Sequence, residues 1–198
     1  MISVFDYGAG NLRSVQNTLG AIGAEYELIR DAAGIQRAVK LILPGVGHFG
    51  QMMRALDDLE VRDALIERIR AGVPFLGICL GLQALFESSE EAPDQRGLGI
   101  YPGEVKRFRG DLRIPHMGWN QLDTIRAARL LQKAGEKPFV YFAHSYYCPV
   151  IAETAATCEY AVPYTALLEH KNVYGVQFHP EKSGAMGLQI VKNFVDAS

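Results

Sequence analysis

At 198 residues, 48% of them hydrophobic, the chain carries enough apolar side chain for one α/β domain with a sizeable core, and nothing in it calls for a second. Its 20 basic and 22 acidic residues leave a formal net charge of −2, which removes the electrostatic case for nucleic acid or an anionic membrane as a partner. Three scattered cysteines lack the paired spacing of a zinc site and fit a reducing compartment better than a disulfide scaffold, so no metal or cofactor is expected. The start, Met1-Ile2-Ser3-Val4-Phe5-Asp6, is too soon interrupted by Asp6 and Gly8 for a signal peptide. No uncharged apolar run matches a bilayer, and a cytoplasmic protein is the expectation.

In chain order, the hydrophobic pattern predicts a strand over 2–5, a helix over 12–22, strands over 26–29 and 41–43, a helix over 61–71 and a strand over 74–76. That alternation predicts a mostly parallel central sheet flanked by helices. Gly8-Ala9-Gly10-Asn11-Leu12-Arg13 follows the first strand, but Arg13 stands where a dinucleotide fingerprint needs its third glycine, so a tight strand-to-helix turn is expected. Leu41-Ile42-Leu43 runs into Pro44-Gly45-Val46-Gly47-His48-Phe49-Gly50, a glycine-rich turn that can present backbone N–H groups or serve as an ordinary structural turn. Glycines on both sides of Val46 leave its peptide room to rotate, and gating of activity by that rotation is the expectation.

The next segment carries the chemistry. Gly77-Ile78-Cys79-Leu80-Gly81-Leu82-Gln83 joins the apolar strand Val73-Pro74-Phe75-Leu76 to a helix predicted over 82–87, which puts Cys79 on a sharp turn. Glycines two residues either side of the thiol are what a nucleophile elbow requires, because side chains there would collide across the turn. A thiol at a helix N-terminus also meets unpaired N–H groups that favour thiolate. If Cys79 attacks a carbonyl, the oxyanion needs about two donors, for which the N–H of Leu80 and one from the Val46–Gly47 turn are the candidates.

Beyond the elbow, Gly97, Gly99, Pro102, Gly103, Gly110, Pro115 and Gly118 punctuate short segments that suit additional antiparallel strands and loops. Strands are predicted over 139–143, 155–158, 166–169 and 173–178, and an amphipathic helix over 185–195. Cys148 and Cys158 read as core or strand residues, and His48 and His170 as solvated or satisfied histidines. His179-Pro180-Glu181 follows the 173–178 strand. A spacing of two puts His179 and Glu181 on one face if extended geometry persists, and Pro180 ends strand pairing. Beside an elbow cysteine this reads as a general base with its orienting carboxylate.

These motifs resemble the triad-type, class I glutamine amidotransferases, whose pattern is Gly-x-Cys-x-Gly-x-Gln with a distal His-Pro-Glu. Asp6-Tyr7-Gly8-Ala9-Gly10-Asn11-Leu12, Leu43-Pro44-Gly45-Val46-Gly47-His48-Phe49, Pro115-His116-Met117-Gly118-Trp119-Asn120, His144-Ser145-Tyr146-Tyr147 and Phe178-His179-Pro180-Glu181-Lys182-Ser183 look, in that order, like the glutaminase subunits of imidazole glycerol phosphate synthases. The resemblance implies one amidotransferase domain over 1–198 that hydrolyses L-glutamine through a Cys79 thioester. It implies that ammonia passes to a (β/α)₈-barrel cyclase subunit, held as a heterodimer, in histidine biosynthesis. It further implies that Gln83, Glu91, His144, Ser145 and Tyr146 hold glutamine, and that Met117, Trp119, Tyr141 and Lys182 face the cyclase. Read from its own residues, Pro115–Asn120 is equally a surface turn with Trp119 folded into the core. A glutaminase serving an anthranilate or aminobenzoate synthase, a cysteine hydrolase and a non-catalytic scaffold are the competing readings.

Overall fold

The computed structural model describes residues 1–8 and 11–197, so Ala9 and Gly10, at the centre of the predicted turn after the first strand, lie outside the described residues. The first half of the chain alternates as β1 (Ile2–Phe5), α1 (Leu12–Ala21), β2 (Tyr26–Ile29), α2 (Ala32–Arg37), β3 (Leu41–Gly45), α3 (Phe49–Asp58), α4 (Arg62–Arg70), β4 (Phe75–Cys79) and α5 (Leu80–Gln83). The second half is mostly strand: β5 (Phe86–Ser89), β6 (Tyr101–Arg107), β7 (His116–Gln121), β8 (Asp123–Thr124), β9 (Phe139–His144), β10 (Tyr146–Tyr147), β11 (Thr154–Tyr160), β12 (Val162–His170) and β13 (Val173–Val176). The chain then turns through Pro180–Lys182 into α6 (Gly184–Val195).

One eight-stranded sheet, ordered β2-β1-β3-β4-β13-β12-β11-β8, organises the molecule. The strands from β2 to β13 are parallel, and β12, β11 and β8 continue the sheet antiparallel. The strand period of two divides the apolar residues between the faces. Ile42, Leu76 and Ile78 join a core under α1 and α6, whereas Leu41, Leu43 and Phe75 join one under α2, α3 and α4. Strands covered on both faces read as unbroken apolar runs, which is why the alternation of elements was visible in the sequence. Burying each such side chain contributes roughly 1.5–3 kcal/mol.

The structure departs from the sequence reading beyond the elbow. The helix predicted over 82–87 is the four-residue α5, and Phe86–Ser89 is a strand paired in parallel with β6. The cause is tertiary. Leu98 N–H donates to Ala84 O, and the N–H groups of Ile100 and Tyr101 both donate to Leu85 O, so carbonyls that would have continued the helix are taken by a distant segment. Two helices, α2 and α3, were not expected from the sequence. The first is capped by Asp31, whose carboxylate accepts from Gly34 N–H at 2.7 Å. The second is capped by His48, whose Nδ1 accepts from Gly50 N–H at 3.1 Å, and by Glu91.

Candidate active site

Three parallel strands end side by side at Cys79. β3 pairs with β4 up to Gly45–Cys79, and β13 pairs with the other edge of β4 up to Val176–Ile78. Ligands of open α/β sheets sit beyond such carboxyl ends. Cys79 has φ 52° and ψ −103°, a positive φ that costs a non-glycine residue on the order of 1–3 kcal/mol and turns the thiol out of the strand. The flanking glycines have the steric cause expected of them. A Cβ on Gly81 would lie 2.0 Å from Leu43 O, and one on Gly77 would lie 2.5 Å from Gly81 O. Because α5 is a single turn, the dipole contribution expected at the thiol is that of one turn. The sulfur's surroundings are set instead by Gln177, whose Nε2 donates to it at 3.5 Å, and by the neighbouring His179 imidazole.

His179 leaves β13 extended, at φ −98° and ψ 96°, with its N–H donating to Tyr141 O at 2.8 Å. Extended geometry does not persist to Glu181 as the spacing argument supposed. A 3-10 turn over Pro180–Lys182 brings the carboxylate back, and His179 Nδ1 meets Glu181 Oε1 at 2.8 Å with both side chains 3% exposed. Ser183 fixes this turn by donating to His179 O at 2.7 Å while accepting from Tyr141 N–H at 3.0 Å. With Nδ1 on the carboxylate, Nε2 is the nitrogen left for Cys79. Burial opposes a charge on His179, but the Cys79 sulfur and the Glu181 carboxylate outweigh it and push the imidazole up to about 10. The imidazole of His179 is therefore held in its charged form beside the sulfur.

A cleft of about 190 Å³ opens over the sulfur, and the residues singled out in the sequence line it: Cys79 and His179, the Val46–Gly47 turn with Leu80, and Gln83, Glu91, His144, Ser145 and Tyr146. Glu181 stands behind His179, outside the cleft lining. Gly47 takes φ 101°, which a side chain would resist, and Val46 O accepts from Tyr7 Oη at 3.5 Å. Glu91 accepts from Phe49 N–H at 2.7 Å through Oε2, which leaves Oε1 for a ligand. His144 is buried with both ring nitrogens engaged: Nδ1 donates to Tyr146 O at 2.8 Å and Nε2 lies 3.3 Å from Tyr164 Oη. Desolvation lowers its pKa to about 3, so the ring is neutral and what it can offer a ligand is backbone.

The residues expected to face a partner form one exposed patch. Met117 is 62% and Trp119 53% exposed, which excludes a core position for Trp119. On the paired strands β7 and β9, Met117 stands opposite Ala143 and Trp119 opposite Tyr141. The Trp119 and Tyr141 rings meet edge to face at 6.2 Å, and Lys182 Nζ lies 5.8 Å from the Tyr141 centroid. Met117 also lines the cleft, so patch and cleft are continuous. Sequence reasoning missed Gln177, Ser183, His116 and Tyr164. Ser183 and His116 sat inside quoted motifs and Gln177 inside the predicted 173–178 strand, while the pairing of His116 with Tyr164 arises only through the fold.

The family model for glutamine amidotransferase class-I matches residues 3–197. The imidazole glycerol phosphate synthase subunit HisH of Methanothermobacter thermautotrophicus is 46% identical over 197 residues, covering 99% of this chain and 98% of its own. The subunit of the same name from Bacillus cereus strain ATCC 14579 is 45% identical over 195 residues, covering 98% and 93%. A solved glutamine amidotransferase superposes with a TM-score of 0.77 over 98% of this chain and 97% of its own, as does PurLQS from Thermotoga maritima; at 18% identity each supports the fold alone. Matched along nearly its whole length by one family model and by relatives of one name, the chain belongs to the class-I glutamine amidotransferases, among the HisH subunits of imidazole glycerol phosphate synthase.

Proposed function

We propose that the chain is the glutaminase subunit of an imidazole glycerol phosphate synthase, hydrolysing L-glutamine to glutamate and ammonia for a (β/α)₈-barrel cyclase subunit in histidine biosynthesis. The observation that carries the chemistry is the buried line from Glu181 Oε1 through His179 to Cys79 at the floor of an amino-acid-sized cleft. Cys79 Sγ attacks the side-chain amide carbon of glutamine. The oxyanion is met by the N–H of Leu80 and one from Val46 or Gly47. His179 protonates the departing amine, the C–N bond breaks, and ammonia leaves a glutamyl thioester. Water, deprotonated by His179, then attacks the thioester, releasing glutamate and restoring the thiolate. Glu181 keeps the His179 proton on Nδ1 and stabilises the imidazolium.

Gln83 and Glu91 suit the polar end of glutamine, Glu91 Oε1 meeting its ammonium group, with the backbone around His144, Ser145 and Tyr146 closing the other side. The patch of Met117, Trp119, Tyr141 and Lys182 is the docking surface for the cyclase, since an exposed tryptophan beside an aromatic and a cation has the composition of an interface centre. The test is glutamate release from L-glutamine by the purified chain, alone and with the cyclase and its nucleotide substrate. Release that depends on both the partner and Cys79 is expected. Vigorous hydrolysis by the isolated chain, or release undiminished in Cys79→Ala, would refute the reading.

A further inference from the structure

A buried carboxamide that this mechanism leaves unused lies against the nucleophile. Gln177 is fully buried one residue past the Val176–Ile78 register pair, so β13 delivers it beside Cys79. Its Nε2 donates to Cys79 Sγ at 3.5 Å. A carboxamide in an apolar core is costly unless its groups are bonded, and the partners here determine which way it faces. Tyr146 O can only accept. It takes Gln83 Nε2 at 2.9 Å, which fixes the Gln83 amide with its nitrogen inward. The same Nε2 lies 3.2 Å from Gln177 Oε1, so Gln177 must turn its oxygen to Gln83 and its nitrogen to the sulfur. The opposite orientation would set nitrogen against nitrogen at one end and oxygen against sulfur at the other. A backbone carbonyl thus dictates, through two side-chain amides, that a donor points at Cys79.

We infer that Gln177 positions the Cys79 sulfur and stabilises its thiolate through this donor relay, an extension of the site that rests on Cys79 being the nucleophile. A hydrogen bond to a charged acceptor is worth more than one to a neutral acceptor, so the N–H favours thiolate over thiol. It acts twice in the cycle. Before attack it raises the fraction of thiolate. During thioester hydrolysis the carbon–sulfur bond breaks, the electron pair returns to sulfur, and the same N–H meets the departing thiolate. Gln177 is buried behind the cleft and is not part of its lining, so its loss is expected to spare substrate binding.

The test is alkylation of Cys79 by iodoacetamide as a function of pH in the full chain, followed at the Cys79 peptide, together with glutamine turnover in the complex with the cyclase. In Gln177→Met, which keeps the length and loses the donor, the alkylation midpoint is expected to rise by about one pH unit. In the complex, kcat is expected to fall about tenfold with KM changed less than twofold, a split that a packing role would not produce. Gln83→Met, which leaves Gln177 in place but frees its amide to turn, is expected to raise the midpoint by a smaller amount. A folded Gln177→Met with the wild-type midpoint and kcat would overturn the inference. Should that variant fail to fold, an unchanged midpoint in Gln83→Met would do so. Failure of the wild-type chain to be alkylated at Cys79 would overturn both this inference and the nucleophile assignment.

Discussion

The two walls of the cleft are built by different means. On the side of β3, β4 and α5, backbone holds the site: Cys79 is placed by strand register on both edges of β4, and Gly81 packs directly on the Leu43 carbonyl. On the side of β7, β9 and β12, side-chain rings do that work. Tyr164 Oη bridges His144 Nε2 and His116 Nδ1, each at 3.3 Å, and His116 stacks on Tyr160 with centroids 4.0 Å apart and on Phe142 at 4.9 Å. Because His144 Nδ1 donates to Tyr146 O, its Nε2 must accept from Tyr164, and Tyr164 in turn accepts from His116. The first wall cannot take an added atom, and the second cannot lose a hydrogen bond or gain a proton.

Gly81→Ala should have the largest effect. Its Cβ would stand 2.0 Å from a backbone oxygen that no rotamer change relieves, so a loss of about 4 kcal/mol or more, or failure to fold, is expected in urea denaturation. Acidification should act next, and on the other wall. Desolvation lowers His116 to about 4 and His144 to about 3, against 6.5 for both when unfolded. The unfolded chain therefore takes up protons first, and stability falls as the pH drops from about 6.5 toward the folded values. The loss is on the order of 2 kcal/mol for the pair across the first pH unit. A urea midpoint that stays constant from pH 7 to 5 would contradict this. Tyr164→Phe should follow, costing about 1–2 kcal/mol in urea denaturation by leaving His144 and His116 without their bridge. Smallest for stability is Trp119→Ala, within about 0.5 kcal/mol, because the side chain is exposed. The same change is expected to weaken the cyclase complex by about 2 kcal/mol, roughly thirtyfold in Kd, measured by titration calorimetry.

The same contrast decides what could be read in the sequence. The elbow, the glycine-rich Val46 turn and the His-Pro-Glu run were legible because each is a local pattern with a local steric or electronic cause. The mostly parallel character of the sheet followed from the alternation of apolar strand runs with helices, whereas the strand order did not. The length of α5 was not legible, since the bonds that end it come from Leu98, Ile100 and Tyr101. Nor was the part Glu91 plays at the start of α3, because its bond from Phe49 N–H spans 42 residues. Gln177 sat in plain view within a strand, but nothing in strand periodicity distinguishes a polar residue at its end from one bonded to a thiol. His116 and Tyr164, 48 residues apart, become a pair only when β7 and β12 are packed together.

The most direct test of the account is to acid-quench the chain during turnover with cyclase and carbon-labelled L-glutamine, digest it, and find which peptide carries the label. A glutamyl group is expected on the peptide containing Cys79, absent in Cys79→Ala together with glutamate release. Label on the peptides of Cys148 or Cys158, or glutamate release that persists in Cys79→Ala, would contradict it.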